Sequence, residues 1–257
     1  MNLFDLTGHS AIITGGNSGI GLAMARGLAK SGANVAIWAR NADKNAAALT
    51  ELDALGDGKV ITIACDVAEE APIEQAMAAT LDAFGRVDSA FANAGRSGAG
   101  TRIPDMTVEG WDATMAVNTR GAALVYKYVT RHMIERAENG DPGGKLIATS
   151  SGQSIMGVNK SSDYAASKAA VNGLTRGAAF ELARYGITAN ALLFGYYQTD
   201  LTAAANPKFE QWMTNRIPLR RFGDHAGLEG LAVFFASPHS DYISGQSLPV
   251  DGALCIS

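Results

Sequence analysis

Short, continuous apolar runs alternate along the chain with longer stretches of helical periodicity. Ser10–Thr14, Asn34–Ala39, Lys59–Cys65, Val87–Phe91, Lys145–Thr149, Ile187–Gly195 and Ser244–Val250 read as strands. They lack the polar alternation of a half-exposed strand, as expected where helices cover both faces of a sheet. Between them the pattern predicts helices from the turn at Gly15–Gly21 to about Lys30, from Asn41 as N-cap to about Leu55, and onward from Asp66-Val67 to about Phe84. Further helices are predicted from Thr107 to about Arg136, through Tyr164 to about Tyr185, and over His225–Ala236. This alternation predicts an α/β, doubly wound parallel sheet of seven strands in one domain over residues 1–257. Only 196–223 breaks the rhythm. It is long, aromatic and proline-containing, and it follows a strand end, where substrate loops and lids commonly lie.

The first strand passes through Gly15, Asn17, Ser18, Gly19, Ile20 and Gly21 directly into a helix. A glycine-rich turn at a helix N-terminus offers backbone N–H groups and the positive end of the helix dipole to a pyrophosphate. The glycine spacing is G-x-x-x-G-x-G, not the G-x-G-x-x-G dinucleotide fingerprint, so the argument rests on the strand–turn–helix context. Past the second strand stand Ala39 and Arg40, with no carboxylate until Asp43. In dinucleotide folds an acid there selects a free ribose 2′-hydroxyl, whereas an arginine accommodates a 2′-phosphate, so Arg40 points to NADP(H), with NAD(H) open to it if Arg40 is only a solvated strand-end residue. Asp66, followed by Val67, ends the third strand, where it can accept from an adenine amino group or cap the next helix. Asn93 and Gly95 lie at the end of the fourth.

Tyr164 and Lys168 are four residues apart in a predicted helix and therefore share a face. A tyrosine hydroxyl titrates near about pH 10, and a nearby ammonium favours its anion. Drawing it toward a working pH takes about 3–4 kcal/mol, within reach of a close, poorly solvated cation. The pair reads as an acid/base that exchanges a proton with a carbonyl or alcohol oxygen. Upstream, Ser150 and Ser151 fall where the fifth strand ends, at the edge where ligands bind in open α/β sheets. Gln153, Ile155, Met156, Tyr196, Tyr197, Leu201 and Trp212 are candidate substrate walls, fitting an apolar or aromatic ketone better than a multiply charged one. Trp111, Met115, Val117, Leu124 and Val125 are candidates for the core.

Composition narrows the partners. The chain has 257 residues, is 47% hydrophobic and 18% charged, and carries a formal charge of −4. That balance, without a Lys/Arg cluster, argues against nucleic acid. No apolar run reaches membrane-spanning length and the N-terminus has no signal-peptide pattern, so a cytoplasmic protein is expected. Cys65 and Cys255 are too few for a disulfide framework and read as buried thiols, and four scattered histidines give no metal-ligand spacing.

Taken together these motifs resemble the short-chain dehydrogenase/reductase family, over roughly Leu6 to Ala253. Thr14–Gly21 resembles its cofactor turn, Asp66 its adenine-contacting acid, Asn93-Ala94-Gly95 its sheet-stabilising motif, and Pro218–Gly223 and Gly245–Gly252 its C-terminal signatures. Asn118, preceded by Trp111, is similar to the asparagine that distorts its helix and holds a water in a proton relay. Ser151 lies thirteen positions before Tyr164, the family's usual gap, and is chosen over Ser150. Thr199, four after Gly195, resembles the residue that meets the nicotinamide carboxamide, and Val67, Gly95 and Tyr197 complete the expected cofactor contacts. The resemblance implies a Rossmann-type sheet of order 3-2-1-4-5-6-7, a homotetramer or a dimer, and NADP(H)-dependent hydride transfer between nicotinamide and a ketone or secondary alcohol. Asn118, Ser151, Tyr164 and Lys168 would be its catalytic set, with Lys168 lowering the Tyr164 pKa and gripping the nicotinamide ribose. An NAD-dependent alcohol or sugar dehydrogenase, a 3-oxoacyl reductase and a cofactor-binding sensor share the pattern. Phe194, Ala92 and Ala253 depart from it, Phe194 replacing a proline, Ala92 an asparagine and Ala253 a glycine.

Overall fold

The computed structural model describes residues 3–199 and 207–256. Its strands are β1 Ser10–Thr14, β2 Asn34–Ala39, β3 Val60–Ala64, β4 Ser89–Ala92, β5 Gly144–Ser151, β6 Ile187–Phe194 and β7 Ser247–Val250. They pair in parallel, in the order β3-β2-β1-β4-β5-β6-β7. Successive side chains point to opposite faces of a strand, and the apolar runs divide accordingly. Ile13, Val35, Ile37, Ile147 and Leu192 pack with α1 Gly19–Lys30, α2 Ala42–Asp53 and α8 His225–Ala236. Ile12, Ala36, Trp38, Leu146 and Leu193 pack against α3 Glu70–Phe84, α5 Gly121–Glu138 and α6 Ser162–Leu182. Every residue of β6 is buried, which is why that strand carries no polar alternation. The order reverses between β1 and β4, and a crevice opens there at the carboxyl ends of the strands.

Several expected boundaries move. The 107–136 helix is three pieces: α4 Val108–Met115, a π-helical turn Ala116–Arg120, and α5. Of its five core candidates only Val125 is buried. Trp111, Met115, Val117 and Leu124 are half-buried, with Val117 and Leu124 packed at the edge of the core and Val117 also lining the crevice. β5 runs on to Ser151, so the two serines are the last residues of the strand rather than its exit. β7 begins at Ser247, and the 196–223 stretch contains a helix, α7 Pro207–Arg216. Cys65 is buried but Cys255 is only half so. No described helix is long and apolar enough to cross a membrane.

The tightest joint between helices is α1 against α8. A Cβ on Gly27 would run into the backbone carbonyl of Glu229, and backbone cannot step aside as a side chain can. Gly27→Ala, which raises helix propensity by about 1 kcal/mol, is therefore expected to lower stability by about 1–3 kcal/mol. Urea unfolding followed by circular dichroism checks the sign, and a stabilised variant would show the joint to be loose.

Candidate active site

The crevice is built where β1 meets β4. Thr14 Oγ1 accepts from the Asn93 and Ala94 N–H groups, both at 2.9 Å, and Asn93 Nδ2 donates back to the Thr14 carbonyl at 2.9 Å. Thr149 Oγ1 on β5 donates to Asn93 Oδ1 at 3.0 Å, so one side chain ties three strands together. Above this knot α1 begins at Gly19. Its N-cap Ser18 makes no side-chain capping bond and its first turn holds no acid, which leaves a field of N–H groups facing the crevice. A Cβ on Gly21 would collide with the Gly15 carbonyl, so the glycine keeps turn and helix in contact. Asn17 Nδ2 donates to Asn45 Oδ1 at 2.7 Å, and Asn45 Nδ2 to the Ala39 carbonyl at 2.9 Å, bracing the turn against the end of β2. Ile20, Val67, Tyr197 and Thr199 line the same space. Such a cradle fits the phosphates of a dinucleotide.

At the outer end Arg40 is largely exposed, with Nη1 3.5 Å from Asp66 Oδ2. Asp66 does not cap α3, whose N-cap is Glu69. Its Oδ1 instead accepts from the Ala68 N–H at 3.0 Å, closing a turn beside the crevice. Lys44 lines this end too, a residue that sequence reasoning passed over.

At the inner end Tyr164 and Ser151 line the cleft together, near enough for the Ser151 hydroxyl to bear on the Tyr164 pKa. Ser151 Oγ also accepts from the Gln153 N–H at 3.2 Å. Ser150 faces the other way, donating to the Lys168 carbonyl at 3.2 Å. Lys168 Nζ donates to the Thr149 carbonyl at 2.8 Å and stands over the Tyr164 ring, 5.8 Å from its centroid. Burial lowers the Lys168 pKa to about 8. Tyr164 does not follow the expectation of a lowered value in the protein alone. Burial holds it above the ordinary phenol value, against the pull of the Ser151 hydrogen bond, and the neighbouring Tyr196 adds to the rise. Lys168 sits over the ring face and not at the hydroxyl, which is why its charge does not dominate.

Asn118 sits in the π-helical turn, fully buried rather than solvated. The extra residue of a π turn swings its side chain inward, as at many functional sites. There Nδ2 donates to the Arg96 carbonyl at 3.1 Å and to Ser167 Oγ at 3.0 Å, while Oδ1 accepts from the Arg96 N–H at 2.8 Å. A Cβ on Gly95 would lie 3.4 Å from both Asn118 Oδ1 and Lys168 Nζ. All four proposed catalytic residues therefore gather around one end of a cleft of about 1600 Å³. Of the expected walls, Gln153, Met156, Tyr196, Tyr197 and Trp212 line it; Ile155 is exposed and turned away; Leu201 lies outside the described residues. Among the described residues no group of His, Cys, Asp and Glu is placed to hold a metal.

The family profile described as enoyl-(acyl carrier protein) reductase matches residues 15–254. Gluconate 5-dehydrogenase of Gluconobacter oxydans is 35% identical over 260 residues, covering 100% of this chain and 98% of its own. The 2,5-dichloro-2,5-cyclohexadiene-1,4-diol dehydrogenase of Sphingobium indicum is 35% identical over 251 residues, 96% and 97% of the two chains. The crystal structure of a gluconate 5-dehydrogenase from Burkholderia cenocepacia, in complex with NADP and tartrate, superposes with a TM-score of 0.91 at 38% identity, covering 100% of this chain and 98% of that one. The chain belongs to the short-chain dehydrogenase/reductase family. It is an NAD(P)-dependent oxidoreductase acting between CH–OH and C=O.

Two features of this short-chain dehydrogenase/reductase were not visible in its sequence. Phe194, in place of the family proline, packs edge-on against Tyr197 at 5.7 Å, and Tyr197 lies parallel to His225 at 6.4 Å. An aromatic column thus supports the start of the 196–223 segment. Asp163, immediately before Tyr164, is 3% exposed. Its Oδ2 accepts from the Ala99 N–H at 2.7 Å and from Thr114 Oγ1 at 3.0 Å. Burial opposes its charge, but hydrogen bonds from Ala99, Tyr164 and Thr114 prevail and hold its pKa below the usual carboxylate value. The carboxylate thereby joins α6, α4 and the 96–100 segment that rims the cleft. The sequence showed only an acid in the first turn of a helix.

Asp163→Ala leaves the Ala99 N–H without its acceptor and the Thr114 hydroxyl with only the Gly110 carbonyl, and is expected to cost about 1–3 kcal/mol. Because the folded pKa is depressed, this contribution is complete above the unfolded value near about 4 and fades as pH falls through the folded one. Urea titrations of both proteins at neutral and acid pH check it; a pH-independent difference would remove the charge from the account.

Proposed function

We propose that this chain is an NADP(H)-dependent reductase of a ketone, or in reverse a dehydrogenase of the secondary alcohol, with Tyr164 as its acid/base. The carrying observation is that Ser151 and Tyr164 line the inner end of the cleft together, beside Lys168. Two hydroxyls on one wall can converge on one substrate oxygen. Bound NADP(H) supplies or takes the hydride. The residues Gly15, Asn17, Ser18, Gly19, Ile20 and Gly21 would hold its pyrophosphate, Asp66 and Val67 its adenine, Asn93, Gly95, Tyr197 and Thr199 its nicotinamide end, and Lys168 the adjoining ribose. Arg40, backed by Lys44, would take the 2′-phosphate, and this pair of cations supports NADP(H) over NAD(H).

With its pKa held up by burial, Tyr164 carries its proton at neutral pH, the form a reduction needs. Protonating an incipient alkoxide from a phenol is downhill, and Ser151 can donate to the same oxygen. The Lys168 ammonium favours the tyrosinate left behind. Asn118 keeps the π turn packed against Gly95, next to Lys168, where the proton path to solvent is expected. A homotetramer belongs to this reading, supported by the half-buried apolar residues of α4 and α5 and by Phe180 on α6, 90% exposed. So does a cytoplasmic setting, in keeping with two cysteines that remain thiols.

Tyr164→Phe is expected to bind NADPH normally while ketone turnover falls about 10²–10⁴-fold. In the parent protein, reduction should persist through neutral pH and fall as pH passes the raised Tyr164 value, whereas alcohol oxidation should grow with pH. Near-normal turnover in the variant, or oxidation that does not rise with pH, would dismiss Tyr164 as the acid/base. Arg40→Glu is expected to cut kcat/KM for NADPH at least tenfold and spare NADH, read from parallel assays at the reduced-nicotinamide absorbance band; an unchanged preference would refute the assignment of Arg40.

A further inference from the structure

The chain carries more acid than base, 25 Asp and Glu against 21 Lys and Arg, yet its cleft inverts that balance. Among the described residues the lining includes Arg40, Lys44, Arg96, Lys160, Lys168 and Arg216, with Asp66 as its one carboxylate. Arg40, Lys44 and Asp66 sit at the outer end, where the 2′-phosphate reading accounts for the cations. Lys168 is buried beneath the Tyr164 ring. Arg96, Lys160 and Arg216 remain, and the cofactor reading does not use them.

We propose that Arg96, Lys160 and Arg216 form an anion subsite at the substrate end of the cleft, and that the substrate is an oxo acid, or the matching hydroxy acid, whose carboxylate they pair with. This rests on the oxidoreductase reading above and names its substrate class. Arg96 is held close to the reacting centre, since Asn118 grips its N–H and carbonyl and Gly95 before it packs near Lys168. Its side chain is exposed and makes no hydrogen bond or ion pair among the described residues. Arg216 lies over the Trp212 ring at 4.9 Å, and its charge reaches Tyr196, whose hydroxyl in turn bears on Tyr164. Arg96 and Arg216 thus reach the cleft from different segments, one following β4 and the other ending α7. Lys160 is presented from a residue with a left-handed φ of 58°, on the loop between Ser151 and α6.

The nearby carboxylates do not neutralise them. Asp163 is committed to Ala99 and Thr114, and Asp251 accepts from the Ala253 and Cys255 N–H groups at 3.0 and 2.8 Å. Three exposed cations lining one concave cleft repel one another and concentrate counter-ions there. A carboxylate relieves that repulsion and finds planar, forked donors suited to it. Neutral ketones gain nothing from it. The apolar or aromatic ketone expected from the wall residues is therefore replaced by a small anionic one.

The test is a panel of four- to six-carbon oxo acids, with and without hydroxyl groups, each assayed beside its methyl ester at saturating NADPH in low and high NaCl. We expect kcat/KM to favour the acid at least tenfold, mainly through KM, with the advantage shrinking several-fold in high salt because these cations are exposed. In Arg96→Gln/Arg216→Gln the acid-to-ester ratio should approach one. Esters reduced as well as acids, or an acid preference indifferent to salt and to both substitutions, would overturn the subsite while leaving the reductase intact. The salt series uses the unaltered protein, so misfolding of the variant cannot mask the result. No turnover of any carbonyl by protein that demonstrably binds NADPH would overturn the oxidoreductase reading itself, and the proposal with it.

Discussion

The site hangs on the hydrogen-bonded knot of Thr14, Asn93 and Thr149 at the seam where the strand order reverses. A parallel sheet that changes direction must open a crevice, since the connections on either side leave in opposite senses. Without a tie the two halves would splay at the place where a ligand has to be gripped. Asn93 prevents this with backbone and side chain together. The carbonyl of the same Thr149 anchors the Lys168 ammonium, so sheet closure and the position of the buried cation are one arrangement.

From that seam the two ends of the cleft take different electrostatic characters. The outer end is open, with Arg40 and Asp66 facing each other through solvent at 3.5 Å, where an ion pair contributes little and a ligand phosphate can take the cation over. Toward the inner end, burial sets the titration of Tyr164 and Lys168, raising one and lowering the other, so both are biased toward neutral forms until a charged ligand enters. Exclusion of water thus keeps the proton on Tyr164 while it loosens the one on Lys168.

Most of the architecture was legible in the chain because a doubly wound sheet writes its strands as continuous apolar runs. Strand order and the convergence of Ser151 with Tyr164 followed from motifs in series. What stayed hidden depended on contacts between distant segments. Trp111, Met115, Val117 and Leu124 have a core pattern, yet they end half-buried, Val117 on the wall of the cleft. Asn118 was singled out by the family resemblance alone, because a π turn has no local signature. Asp163 was one acid in a helical first turn, and nothing in its neighbourhood of sequence names Ala99 or Thr114 as its partners. Arg96, Lys160 and Arg216 are isolated along the chain and become neighbours of one cleft only when loops from three strand ends meet.

The aromatic column of Phe194, Tyr197 and His225 has a consequence for how such a protein can change. A proline at the head of a loop restrains the backbone itself, and that stiffness survives whatever the neighbours become. Here the restraint is delegated to side chains from three places in the sequence, so the loop's posture is heritable in pieces. A substitution at Phe194 or His225 can re-aim the wall of the cleft while Ser151, Tyr164 and Lys168 stay untouched. Rigidity borrowed from packing is also lost cooperatively on warming, which ties the loop's order to that of the layer beneath it.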